Sequence, residues 1–124
     1  MINYIEILNR QIKINGKKII NLTFEKYINN LLIKDLTTYQ GRINSIKEKY
    51  NYRKLVPIYI DLGLCLIPIC NKKSINNLYI NIHSISSLTG CTTITFKDNQ
   101  ILNVDKNIRT IKSYIKRASI ISKD

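Results

Sequence analysis

The chain has 124 residues and a mass of 14.5 kDa, the size of one domain that buries roughly two thirds of its unfolded surface. Hydrophobic residues make up 44% and charged residues 23%, which excludes an intrinsically disordered chain. Lys and Arg number 20 against 8 Asp and Glu, a net charge of +12 that points to a polyanionic partner or surface. Roughly 45% of the residues are Ile, Asn or Lys, whose codons are A/T-rich, so only clustered charge counts as a signal.

MINYIEILNRQ at the N-terminus has neither a basic start nor an apolar run, so no secretory signal is read there. A short strand is expected at residues 3–8. Asn15-Gly16 between QIKI and KKII predicts a hairpin, because a tight two-residue turn needs positive φ at both central positions. Residues 22–36 fit a strand pair or a short helix equally well. TTYQGRINSIKEKY, residues 37–50, reads as a helix over about 38–50, capped by Thr37 or Thr38. Tyr39, Ile43, Ile46 and Tyr50 form its apolar stripe. Gly41 near its start costs about 1 kcal/mol against Ala, so close approach by a neighbour or ligand is expected there. Arg42, Lys49 and Arg53 fall on a second line beside the stripe.

VPIYID (56–61) and LCLIPI (64–69) read as strands joined by a turn at Leu62-Gly63. Asp61 and two prolines interrupt this most apolar stretch, which is too short to span a bilayer. Pro57 and Pro68 each remove a ladder donor and suit edge or end positions. NKKSINN (71–77) reads as a basic loop. LYINIHSIS (78–86) alternates, with Leu78, Ile80 and Ile82 on one face and Tyr79, Asn81, His83 and Ile85 on the other. GCTTITF and ILNV flank residues 97–100 as a second hairpin. Ile108, Ile111, Ile115 and Ala118 then mark a C-terminal helix over about 107–119, within the run 107–121, capped by Asp105 or Asn107. The whole reads as one α+β domain, residues 1–124, of mostly antiparallel strands and hairpins with a mid-chain and a C-terminal helix.

Groups for catalysis are sparse. The chain has 1 His, no Gly-rich phosphate loop and no serine in a nucleophile elbow, so no enzyme, cofactor or catalytic residue is expected. His83 reads as a half-buried strand residue. Cys65, Cys70 and Cys91 lack the spacing of a zinc knuckle and read as reduced, small buried apolar residues of a cytoplasmic protein. The basic residues gather in three clusters. The first is Arg42, Lys47, Lys49, Arg53 and Lys54. The second is Lys72 and Lys73. The third is Arg109, Lys112, Lys116 and Arg117. Glu48 is the only acid among them. Double-stranded nucleic acid repays such surfaces through counterion release. Arg42 and Arg53 are the expected groove contacts, since guanidinium is planar and weakly hydrated. A basic interaction module and an RNA-binding accessory protein remain as alternatives.

From about residue 31 to 120 the order of motifs resembles the ComK competence transcription factors of low-GC Gram-positive bacteria. TYQGR (38–42) is similar to that family's Gly-Arg segment. LVPIYID is similar to its apolar-Pro strand. LIPICNKKS is similar to its Phe-Pro-Thr-x-Ser turn, and YINIHSI to its Trp-Ile-x-x-x-His-Ile strand. ITFKDNQILNV is similar to its Ile-x-Phe-x-Asn-Gly hairpin. The C-terminal strand, hairpin and helix also resemble the LytTR DNA-binding domain at the level of fold. The resemblance implies a transcriptional activator that binds AT-rich duplex DNA through the minor groove as a homo-oligomer. The residues it carries over as DNA-binding candidates are Gly41 and Arg42, followed by the basic residues of the C-terminal helix. No membrane role is expected, because neither basic helix presents a bulky aromatic insertion face.

Overall fold

The computed structural model describes residues 2–53, 56–70, 77–90, 93–104 and 107–123. The chain opens with an antiparallel meander of β1 (Tyr4–Leu8), β2 (Gln11–Ile14) and β3 (Lys18–Ile20). Asn15 and Gly16 turn it with φ of 56° and 71°, as the hairpin reading requires. Asn15 Oδ1 also accepts the Asn3 and Tyr4 amides at 2.7 and 3.2 Å, which anchors the turn to the start of β1.

The undecided stretch 22–36 resolves as α1 (Phe24–Leu32) followed by a single 3-10 turn (Ile33–Asp35). Thr23 caps α1 by accepting from the Lys26 amide, and Phe24, Ile28 and Leu32 bury one face at a spacing of four. Leu36 ends the turn in the left-handed region, φ 57°. α2 (Tyr39–Tyr50) follows, with Thr38 Oγ1 accepting from the Gly41 amide at 3.0 Å and Ile43 and Ile46 buried. Asn51, also left-handed, stops it.

β4 (Ile58–Asp61), β5 (Leu64–Cys70) and β6 (Asn77–Asn81) complete a six-stranded sheet in the order β3-β2-β1-β6-β5-β4. β5 is an interior strand, and Pro68, for which an edge or an end position is expected, lies in its C-terminal half. Pro68 is tolerated because the ladder with β4 ends at Ile58↔Leu66, so this part of β5 pairs with β6 alone.

The single strand expected over 78–86 is broken. β6 stops at Asn81, a 3-10 turn covers Ile82–Ser84, and β7 (Ile85–Thr89) begins a second sheet with β8 (Thr93–Phe96) and β9 (Ile101–Asn103). Asn81 causes the break. Its Oδ1 accepts the Cys65 and His83 amides, and its Nδ2 donates to the Ile2 and Gly63 carbonyls. A buried amide that satisfies four backbone groups holds the chain in the turn more firmly than strand alternation could. The expected second hairpin is present as β8–β9, with Asn99 at φ 72°. Asn107 caps α3 (Ile108–Lys123), which runs past the expected end at 119.

The six-stranded sheet separates two apolar clusters. α1 and α2 cover one face with Ile5, Ile12, Ile58, Leu66 and Tyr79. The three-stranded sheet and α3 cover the other with Tyr4, Ile67, Ile80, Ile94, Phe96 and Ile111. Cys65 is buried in this second cluster, in agreement with the reading of a small apolar residue. No described helix is long and apolar enough to cross a membrane. The result is the α+β domain of antiparallel strands that the sequence predicts.

Candidate nucleic-acid interface

α2 and α3 lie on opposite faces of the six-stranded sheet, yet both pack against its last strand, β4. Ile121 near the end of α3 joins the apolar cluster of α1 and α2, so α3 closes around that edge. The contact is made by a run of stacked side chains. The Lys49 ammonium lies 5.3 Å from the Tyr50 ring centroid. Tyr50 and Tyr52 stack at 5.7 Å with planes 23° apart. The Arg117 guanidinium lies 4.2 Å over the Tyr52 ring, and Tyr52 Oη donates to the Arg117 carbonyl at 3.3 Å. Asn51 makes the two tyrosines neighbours, because its left-handed backbone reverses the chain between them.

This ladder brings the first and third basic clusters together at one end. Lys49, Arg53 and Lys116 are exposed beside it, and Lys47 is exposed on α2. Arg109 and Lys112 are exposed farther along α3; Arg109 lies about 12 Å of helix rise from Arg117. Glu48 is the acid nearest in sequence, and it too is exposed. Lys54, Lys72 and Lys73 lie outside the described residues. Tyr50 and Tyr52 were not among the expected site residues. Their signal is the run KYNYR, in which two tyrosines are interleaved with basic residues.

Gly41 and Arg42 stand apart from this surface. A Cβ at Gly41 would lie 3.2 Å from both Thr37 Oγ1 and Thr38 Oγ1. The close neighbour that the sequence suggests is therefore the helix's own capping threonine, not a ligand. Arg42 does not reach outward as a groove contact. Its Nη2 pairs with Asp35 Oδ2 at 3.2 Å, its guanidinium lies 6.0 Å from the Tyr59 ring, and its Nε is buried without a hydrogen-bond partner. Only 22% of the side chain is exposed. Asp35, seven residues earlier, reaches Arg42 because the 3-10 turn and Leu36 fold the chain back before α2.

Arg42 and Asp35, together with Lys34 and Asp61 at 3.2 Å, border a cavity of about 580 Å³ also lined by Thr37, Ser45, Tyr59 and Leu62. Burial pushes the Asp61 carboxyl up, but bonds from the Gly63 amide and Lys34 outweigh it and hold it below the ordinary range. Acids and bases balance here, so this part of the β4 edge offers little to a polyanion. His83 is half-buried as expected, and burial together with Lys97 lowers its pKa, against an opposing pull from Asp61. Among the described residues no cluster of His, Cys, Asp or Glu could hold a metal ion.

Comparison of the chain with protein-family models, with curated proteins and with solved structures finds no match.

Proposed function

We propose that this protein binds double-stranded DNA through the surface formed by the C-terminal end of α2 and the outer side of α3, and that it acts as a transcriptional regulator. One observation carries the reading. Arg117 of α3 sits on Tyr52, directly after α2, so two basic rows 65 residues apart in sequence meet at one edge of the fold. Glu48 is the one acid on the described part of the α2 row, while Asp35 and Asp61 pair with Arg42 and Lys34 away from it. The motif order that resembles ComK supports AT-rich duplex as the target, with Arg53 the free guanidinium best suited to a narrow minor groove. Arg42, committed to Asp35, is replaced in that role.

Six basic side chains, Lys49, Arg53, Arg109, Lys112, Lys116 and Arg117, carry the positive charge of this surface. Six neutralised phosphates give a slope of about −5 in log K against log salt, a loss of roughly a thousandfold between 50 and 200 mM. Fluorescence anisotropy on an AT-rich duplex, a GC-rich duplex and a structured RNA at both salt concentrations tests the proposal. It expects the AT-rich duplex to bind best, with that slope. Equal and negligible binding to all three removes the reading. Preference for the RNA replaces it with the RNA-binding alternative.

A further inference from the structure

A second cavity, about 440 Å³, runs between β7 and α3. This volume lies within the range of roughly 300–1,000 Å³ common to ligand sites. Its apolar lining is Ile82 from the 3-10 turn, Ile85 and Leu88 from β7, and Ile115 from α3, all half-buried. Ser86 and Ser87 line it as well, and Lys112 is its one charged residue.

β7 is irregular between Ile85 and Ser87, and Ile85 and Leu88 are half-buried while Ser86 and Ser87 between them are exposed. An opening lined by all four takes residues from both faces of the strand and so lies along its edge. The topology agrees. β7 is the outer strand of the order β7-β8-β9, and no described strand pairs with it on the side away from β8. An edge strand with a helix beside it, and apolar side chains between the two, has what an extended peptide needs. The edge supplies main-chain hydrogen bonds, and the gap toward the helix takes alternate side chains.

We propose that the groove between β7 and α3 binds an extended peptide segment of a partner protein, added to the three-stranded sheet as a fourth strand. The segment carries apolar residues at alternate positions and an acidic group facing Lys112. The charge follows from the lining, which has no carboxylate to offset Lys112, on a chain of +12. Lys112 is shared with the proposed DNA surface, but peptide binding stands or falls without nucleic acid.

The test is amide NMR titration of the full chain, with no DNA present. The probes are eight-residue peptides with Val, Ile or Leu alternating with Thr and ending in Asp-Asp. Saturable shifts are expected at Ser86, Ser87, Leu88 and Lys112. Methylating the peptide's backbone nitrogens removes its donors and should abolish binding. Lys112→Glu, a change at an exposed position, should weaken it about tenfold. The proposal is overturned if no peptide gives saturable shifts up to millimolar concentration, or if the N-methylated peptides bind equally well. Shifts confined to Lys49, Arg53 and Lys116 also overturn it, since they report attraction of acidic peptide to a basic surface.

Discussion

Removing the Tyr52 ring separates the two basic helices. Tyr52→Ala deletes the stack with Tyr50 at 5.7 Å, worth about 0.5–1.5 kcal/mol. It also deletes the Arg117 contact at 4.2 Å, about 0.5–1 kcal/mol at a partly exposed site. The hydroxyl bond to the Arg117 carbonyl is long at 3.3 Å and belongs at the low end of the usual range, about 0.5 kcal/mol. Together these terms reach about 2 kcal/mol, which for a domain of this size lowers Tm by about 6–8 °C. Tyr52→Phe keeps both ring contacts and should cost about 0.5 kcal/mol. Urea unfolding of the two variants measures the difference. In the anisotropy assay Tyr52→Ala should also flatten the salt slope by about one, because Arg117 loses its fixed position, whereas Tyr52→Phe leaves the slope unchanged. Equal destabilisation by Phe and Ala would show that only the hydroxyl matters. Unchanged stability and slope in Tyr52→Ala would refute the argument that this ring joins the helices.

Gly41→Ala should gain no stability, although Ala in place of helical Gly is normally worth about 1 kcal/mol, because its Cβ presses on the Thr37 and Thr38 hydroxyls at 3.2 Å. Thermal unfolding decides, and a full gain would show that the cap yields freely. Leu36 is 94% exposed at φ 57°, so Leu36→Gly relieves left-handed strain without losing burial and should raise stability by about 0.5–1 kcal/mol in urea. The Asp98 carboxylate is held below its ordinary pKa, first by the Gln100 amide and then by Asn3 Nδ2. With the folded value below the unfolded one, its contribution is complete above about pH 4 and is lost as pH falls through the folded value. Asp98→Asn should therefore show a shallower loss of stability below about pH 4 than the parent. The depressed His83 pKa has the same sign at higher pH. Stability should decline as pH drops below about 6.5 and level off beneath the folded value, a step that His83→Gln removes.

Local chemistry made several elements readable. Asn15-Gly16 carries residues that tolerate positive φ at both required positions. Thr38 and the Ile43/Ile46 spacing mark α2, and Ile108, Ile111 and Ala118 mark α3. Elsewhere the deciding partner is distant. Apolar alternation runs through Leu78, Ile80 and Ile82 and falters only at Ser84 and Ile85, but Asn81 meets Ile2, Gly63 and Cys65 only in the folded chain, and those bonds convert the strand into a turn. α1 is ambiguous in the sequence because Phe24, Ile28 and Leu32 are few, and the half-buried neighbours Tyr27 and Leu31 blur the period. For the candidate surface, the sequence supplied charge but not position. Arg42 and Arg117 look alike as basic residues on helices. One is drawn inward by an acid seven residues earlier, and the other is placed by a tyrosine 65 residues earlier.

β1 sits between β2 and β6, so its second neighbour is synthesised some seventy residues after it. The Asn3 side chain waits longer still, for Asp98 and Gln100. In a nascent chain α1 and α2 follow at once to cover Ile5, Ile12 and Ile14, but the β6 side of β1 stays unpaired through most of translation. Such long-range closure slows folding and leaves an unpaired strand available to other chains. The unpaired edge of β1 is thus where cotranslational aggregation of this protein should begin.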